Sequence, residues 1–171
     1  MKVLIATDGT QTAITAAKKA LDILREDTEI LLVTVIRAYE NPMEDAGGFE
    51  GPLMTPEEAE SEFQEHLAAG QTALSHSLDA LDKNANVRII PSSDDPGKGI
   101  IDVANEVHPD LIVLGRNSKG FFAKLLHGSV SDYVAHHASC PVLIVPHTNS
   151  KQQSARQRPG RLVAGEAKPA G

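Results

Sequence analysis

Two short stretches carry residue types suited to holding a phosphorylated sugar. Thr7-Asp8-Gly9-Thr10 follows a short apolar run and precedes a helical pattern. A carboxylate in that place can accept hydrogen bonds from ribose hydroxyls. It also suits helix capping, by Asp8 or by Thr10, and the spacing alone leaves both roles open. The second stretch is Gly115-Arg116-Asn117-Ser118-Lys119-Gly120, followed further on by Gly128-Ser129-Val130-Ser131 at the opening of the last helix. A helix N-terminus presents unpaired backbone N–H groups and partial positive charge, which suits phosphate. Gly128 lets the backbone approach closely, and the Ser129 and Ser131 hydroxyls can donate to phosphate oxygens. A loop glycine followed by an N-cap serine is the plainer alternative, and taken alone it stands equally.

Familiar phosphate fingerprints do not match. Gly115 and Gly120 have the glycine spacing of a P-loop, but Phe121 and Phe122 stand where Lys and Ser/Thr are needed. Gly97-Lys98-Gly99 begins a dinucleotide pattern, but its third glycine is replaced by Asp102. Lys98-Gly99 after Asp95-Pro96 instead reads as the opening of the third helix.

Phosphoryl transfer also asks for a base or water-orienting group, cationic charge and metal ligands. Arg116 and Lys119 could supply charge or serve as solvated loop cations. No Ser-His-Asp or Cys-His arrangement emerges from the spacing, so no catalytic residue is assigned. His136 and His137 are sequence neighbours on one helix and cannot both chelate one ion. His66 and His76 read as solvated, and His127 as loop. Cys140 reads as a small buried hydrophobe. The acids of Asn41–Glu50 read as a solvated loop, and no metal ligand is assigned.

Five β-rich apolar runs must position these stretches: Val3–Ala6, Ile30–Ile36, Val87–Ile90, Leu111–Leu114 and Val142–Val145. Each has the length and Val/Ile/Leu content of a strand buried on both faces. Helical patterns lie between them at Thr10–Arg25, Pro56–Leu81, Ile100–Val107 and Val130–Ala138, with Thr55 as N-cap and Pro56 at the first helical position of the second. The order β-α-β-α-β-α-β-α-β predicts an α/β domain: a five-stranded parallel sheet with helices on both faces, Rossmann-like. Such sheets bind ligands beyond the carboxyl ends of their strands. Ala38–Leu53, with two Pro, three Gly and four acids, reads as a long loop.

The chain has 171 residues, the length of one domain. Its 41% apolar and 23% charged residues give a globular balance. Without Trp and with net charge −7, it lacks the aromatic platforms and basic footprint of a nucleic-acid binder. One cysteine excludes an internal disulfide framework and a Cys-rich zinc module. Lys151–Gly171 carries five Lys/Arg against one acid, a net +4, which leaves −11 on residues 1–150. We expect one domain over 1–147 and a basic, disordered tail over 148–171. No run reaches the ~18 apolar residues of a membrane span. The start lacks the roughly 7–15-residue apolar stretch of a signal peptide. A cytoplasmic protein with no membrane partner is expected.

The joint pattern Gly115-x2-Ser118-x9-Gly128-Ser129 resembles the nucleotide loop of the universal stress protein family, Gly-x2-Gly-x9-Gly-Ser/Thr. The opening Val3-Leu4-Ile5-Ala6-Thr7-Asp8-Gly9-Thr10 is similar too. So are Pro109–Gly115, Gly128–Val134 and Cys140-Pro141-Val142-Leu143-Ile144-Val145-Pro146. The likeness spans about residues 1–147.

The resemblance implies a homodimeric α/β domain acting in stress response, whose nucleotide-binding branch holds ATP across the sheet's carboxyl edge. By position, Asp8 would hold the ribose. The backbones of Ala6, Thr7 and Val35 would line the adenine pocket, and Gly115 would lie against the sugar. Ser118, Gly128, Ser129 and Val130 would surround the phosphates, with Ser131 close by. Mg2+ or Mn2+ would be held through the phosphates. ATP, ADP, AMP and a cyclic nucleotide share this pattern, and any hydrolysis is expected to be slow.

Ser118 departs from the family's second glycine. Where that position needs a positive φ, Ser costs roughly 1 kcal/mol more than Gly. The family also has a branch that lacks these glycines and does not bind ATP. Gly115, Gly128 and Ser129 favour the binding branch. The alternative is a dimeric stress-related interaction module with a vestigial nucleotide site, capturing a protein partner through the loop or the tail. Val142–Val145 reads as an edge strand, and pairing it across a two-fold axis would cover both edges.

Overall fold

The computed structural model describes residues 1–40, 55–93, 95–116 and 130–146. Five strands form one parallel sheet: β1 (Lys2–Ala6), β2 (Glu29–Arg37), β3 (Asn86–Ser92), β4 (Leu111–Arg116) and β5 (Val142–Pro146). Helices α1 (Gln11–Leu21), α2 (Pro56–Leu81), α3 (Pro96–Val107) and α4 (Val130–His137) alternate with them. The spatial order is β3-β2-β1-β4-β5. The expected tail and most of the expected loop over 38–53 lie outside the described residues.

Strand alternation splits the core into two layers. Leu4, Val33, Val35, Ile112 and Leu114 face one side, where they pack with Ile100, Ile101, Val103 and Ala104 of α3 and Val130 and Val134 of α4. Val3, Ile5, Ile30, Leu32 and Val113 face the other, against Ala17 and Ala20 of α1 and Leu74 and Leu81 of α2. Both faces are thus covered by helices, which explains the near-continuous apolar strands in the sequence. The edges depart from that expectation: on β3, Val87 is 49% exposed, and β5 is only half-buried from Val142 to Val145. Among the described residues, each edge strand pairs with one neighbour.

Helix ends follow local chemistry. Thr55 and Glu58 form a reciprocal capping box at the start of α2: the Glu58 N–H donates to Thr55 Oγ1 at 3.2 Å, and the Thr55 N–H donates to Glu58 Oε2 at 2.8 Å. Helix α3 begins four residues before the expected Ile100, because Asp95 caps it through the Gly97 N–H at 2.7 Å and Pro96 takes the first helical position. Helix α1 stops at Leu21 rather than Arg25. Beyond it the bonds tighten to Ile23 N–H to Ala20 O and Leu24 N–H to Leu21 O, a 3₁₀ turn that ends the α-helix.

Candidate nucleotide site

The chain runs from β1 outward to β2 and β3, then returns beside β1 as β4 and continues outward to β5. The strand order therefore reverses between β1 and β4. Ligands of open α/β sheets bind at that reversal, beyond the carboxyl ends. Ala6 ends β1 in register with Leu114 of β4 and Val33 of β2. Thr7, Asp8 and Gly9 leave the sheet from there.

The turn that follows is held from both sides. Thr7 is buried, and its N–H donates to Val33 O at 2.9 Å. Its hydroxyl accepts the Gly9 N–H at 3.1 Å and lies 2.8 Å from the hydroxyl of Ser77. The half-buried Asp8 accepts the Thr10 N–H on Oδ1 at 3.0 Å, and the same oxygen accepts the Thr10 hydroxyl. Thr10 is the N-cap of α1, its Oγ1 accepting the Ala13 N–H at 3.3 Å. Of the capping roles left open by spacing, the N-cap falls to Thr10, and Asp8 orients Thr10 through Oδ1.

A pocket of about 140 Å3 opens beside this turn, lined by Asp8, by Thr34, Val35, Ile36 and Arg37 of β2, and by His66, Ala69, Gly70 and Ala73 of α2. It is smaller than the ~300–1,000 Å3 of a whole-ligand pocket, so it has room for part of a ligand rather than all of it. Its walls are close-packed. A Cβ on Gly9, whose φ is +72°, would stand 2.7 Å from Ala73 Cα. Asp8, next to Gly9 in the chain, and Ala73 both line the slot.

The sequence-predicted residues divide as follows. Asp8 and Val35 line the slot. Ala6, Thr7 and Gly115 stand at the same carboxyl edge without lining it. Gly115 packs toward α1, since a Cβ there would meet Ala13 Cα at 3.1 Å and Ala16 Cβ at 3.3 Å. Val130 and Ser131 are buried in the first turn of α4. Ser118, Gly128 and Ser129 lie outside the described residues.

The α2 wall was missed by the sequence reading. His66, Ala69, Gly70 and Ala73 recur at i, i+3, i+4 and i+7, one helical stripe of small residues closed by a histidine. Small-residue spacing, rather than the large apolar spacing, carried that signal. His66, expected to be solvated, instead lines the pocket, its side chain 24% exposed and its Nε2 4.0 Å from Glu62 Oε1. Glu62 also lies 3.9 Å from Arg37, another residue of the lining. Away from the slot, the imidazoles of His136 and His137 each bond through Nδ1 to the carbonyl four residues back.

Comparison with known proteins decides the family. The sequence model of the universal stress protein family matches residues 1–146. The chain belongs to the universal stress protein family. Universal stress protein MJ0531 of Methanocaldococcus jannaschii is 32% identical over 149 residues, covering 84% of this chain and 81% of that one. Universal stress protein Sll1388 of Synechocystis is 49% identical over 53 residues, a stretch of 31% of this chain and 34% of that protein.

The fold matches solved universal stress proteins. One, in complex with cAMP, is 21% identical with a TM-score of 0.56, covering 86% of this chain and 98% of that one. A family member from Arabidopsis thaliana with AMP bound is 20% identical with a TM-score of 0.58, covering 89% and 94%. Among the described residues, no helix is long and apolar enough to cross a membrane.

Proposed function

We propose that this universal stress protein binds an adenine nucleotide, with ATP as the reference ligand, and acts as a ligand-responsive protein in stress signalling. The observation that carries the reading is the slot between β2 and α2, with Asp8 in its lining, beside the strand-order reversal. The slot takes the base, with Val35 at its wall. Asp8 holds the ribose, Gly115 lies against the sugar, and the phosphates run toward Ser118, Gly128, Ser129 and Val130, with Ser131 close by. The cAMP and AMP bound by two family members of the same fold support this reading. When bound, Mg2+ or Mn2+ is held through the phosphates and neutralises their charge.

No catalytic set is assigned, so ATP acts as a conformational ligand and is hydrolysed slowly at most. The working unit is a homodimer paired through Val142–Val145, the half-buried edge of the sheet. It works in the cytoplasm, on residues 1–147, with 148–171 as an appended basic tail.

Nucleotide extraction and mass spectrometry of the protein as purified, followed by calorimetry with Mg-ATP, tests the reading. Saturation at a hundredfold excess over Kd raises stability by about 2.7 kcal/mol. Asp8→Ala and Gly128→Val are expected to lose that rise. An empty protein with no calorimetric heat at millimolar Mg-ATP defeats the reading in favour of the interaction module.

A further inference from the structure

Ser77 lies in the second-last turn of α2, 70 residues from Thr7 in sequence, and is fully buried. Its hydroxyl donates to the Ala73 carbonyl at 2.8 Å. A serine hydroxyl has one hydrogen. The 2.8 Å contact between Ser77 and Thr7 is therefore donated by Thr7. Thr7 in turn accepts the Gly9 N–H at 3.1 Å. The result is a chain with one direction: Gly9 N–H to Thr7, Thr7 O–H to Ser77, Ser77 O–H to the Ala73 carbonyl. Every donor in it is satisfied, and its two hydroxyl-bearing residues are cut off from water, being 3% exposed at Thr7 and 0% at Ser77.

Asp8 sits inside this chain. The bond between Thr7 and Gly9 closes over its backbone, and the chain is anchored through Ser77 to α2, the same helix that walls the slot. We infer that Ser77 is a positioning residue for the nucleotide site: through Thr7 it fixes the backbone of Asp8 and so aims the carboxylate at the ribose. The inference rests on the nucleotide reading above. Ser77 touches no ligand in it, and its effect passes through Asp8.

A merely structural serine and a positioning serine are separated by ligand choice. ATP carries the ribose hydroxyls that Asp8 holds, and 2′,3′-dideoxy-ATP carries neither. Calorimetric Kd values are measured for both on the full chain, wild type and Ser77→Ala. The expected result is a loss of about two- to tenfold for ATP, the net worth of a hydrogen bond, with dideoxy-ATP unchanged.

Equal losses for both ligands, or no loss for either, overturn the inference and leave nucleotide binding standing. If wild type binds neither ligand, the nucleotide reading itself falls, and the inference with it. If Ser77→Ala does not fold, Ser77→Cys keeps the side-chain volume while weakening the hydrogen bonds, and the same ligand contrast is read on it.

Discussion

Gly70 and Ile36 approach so closely that a Cβ on the glycine would stand 2.8 Å from Ile36 Cγ2. Both residues line the slot. The width of the slot is therefore set where α2 meets the end of β2, and a side chain at position 70 has to displace one wall. Gly70→Val forces that displacement. Overpacking of this kind costs typically 1–3 kcal/mol. The expected outcome is a lowered urea midpoint together with weakened ATP binding, read by denaturation and calorimetry on the same preparation. A variant with wild-type affinity would show that the base does not enter between α2 and β2.

Gly9 has a different sensitivity. Its φ of +72° disfavours any side chain, and a Cβ there would also meet the backbone of Ala73 at 2.7 Å. The left-handed conformation alone costs roughly 1–2 kcal/mol for a residue with a Cβ. Since the near atom at Ala73 belongs to the backbone, the neighbour cannot rotate away. Gly9→Ala is expected to lose about 3 kcal/mol in total, measured by urea unfolding. A loss below about 1 kcal/mol would show that the turn reshapes freely.

Arg88 and Glu106 form a two-pronged ion pair on the surface between β3 and α3, with both N···O distances at 2.9 Å. The Arg88 hydrogen bonds hold the Glu106 carboxyl below its ordinary range, and Glu106 raises Arg88 in return. A carboxyl lowered on folding adds stability above its unfolded pKa and loses it as pH falls through its folded pKa. Wild type is expected to exceed Glu106→Gln in Tm at neutral pH, by a small margin that closes on acidification. Both groups are exposed, so high salt shrinks the same margin. A margin that is constant across acid pH would exclude the ion pair as its source.

Burial pushes the Cys140 thiol up, and the negative charge of Asp110 pushes in the same direction. The thiolate is the reactive form. At mildly alkaline pH the native protein is expected to alkylate more slowly than an unstructured cysteine peptide, and to reach the peptide's rate in denaturing urea. A native rate equal to the peptide's would place the sulfur in water and remove both causes.

Much of the architecture is written in local pattern. The strands are short, apolar and separated by helical periodicity, so their number, their alternation with helices along the chain and their parallel sense follow without the coordinates. The start of α2 was legible at Thr55-Pro56 because capping chemistry is local, and its end at Leu81 because the apolar spacing stops there. The early start of α3 was half visible in Asp95-Pro96, but its first turn holds two glycines and a lysine, which carry no apolar periodicity. What stayed hidden was the pairing of distant surfaces. Val35 and Asp8 could be placed at the sheet's edge from sequence. The α2 wall could not, because His66, Ala69 and Gly70 have no chemistry that names their partner. Ser77 looks like any mid-helix serine until Thr7 is found 2.8 Å away.

The central strand is also the first of the five in chain order. β1 needs partners on both flanks, yet β2 follows it closely in the chain and β4 begins only at Leu111. At about 5–20 residues per second, roughly 5–20 s of synthesis separate Ala6 from Leu111. Through that interval the second flank of Val3-Leu4-Ile5-Ala6 has no mate on the ribosome. Of the strand pairings in the sheet, that of β1 with β4 joins the segments farthest apart in the chain. Substitutions that slow translation between β3 and β4 would lengthen that interval without changing a single contact in the finished protein.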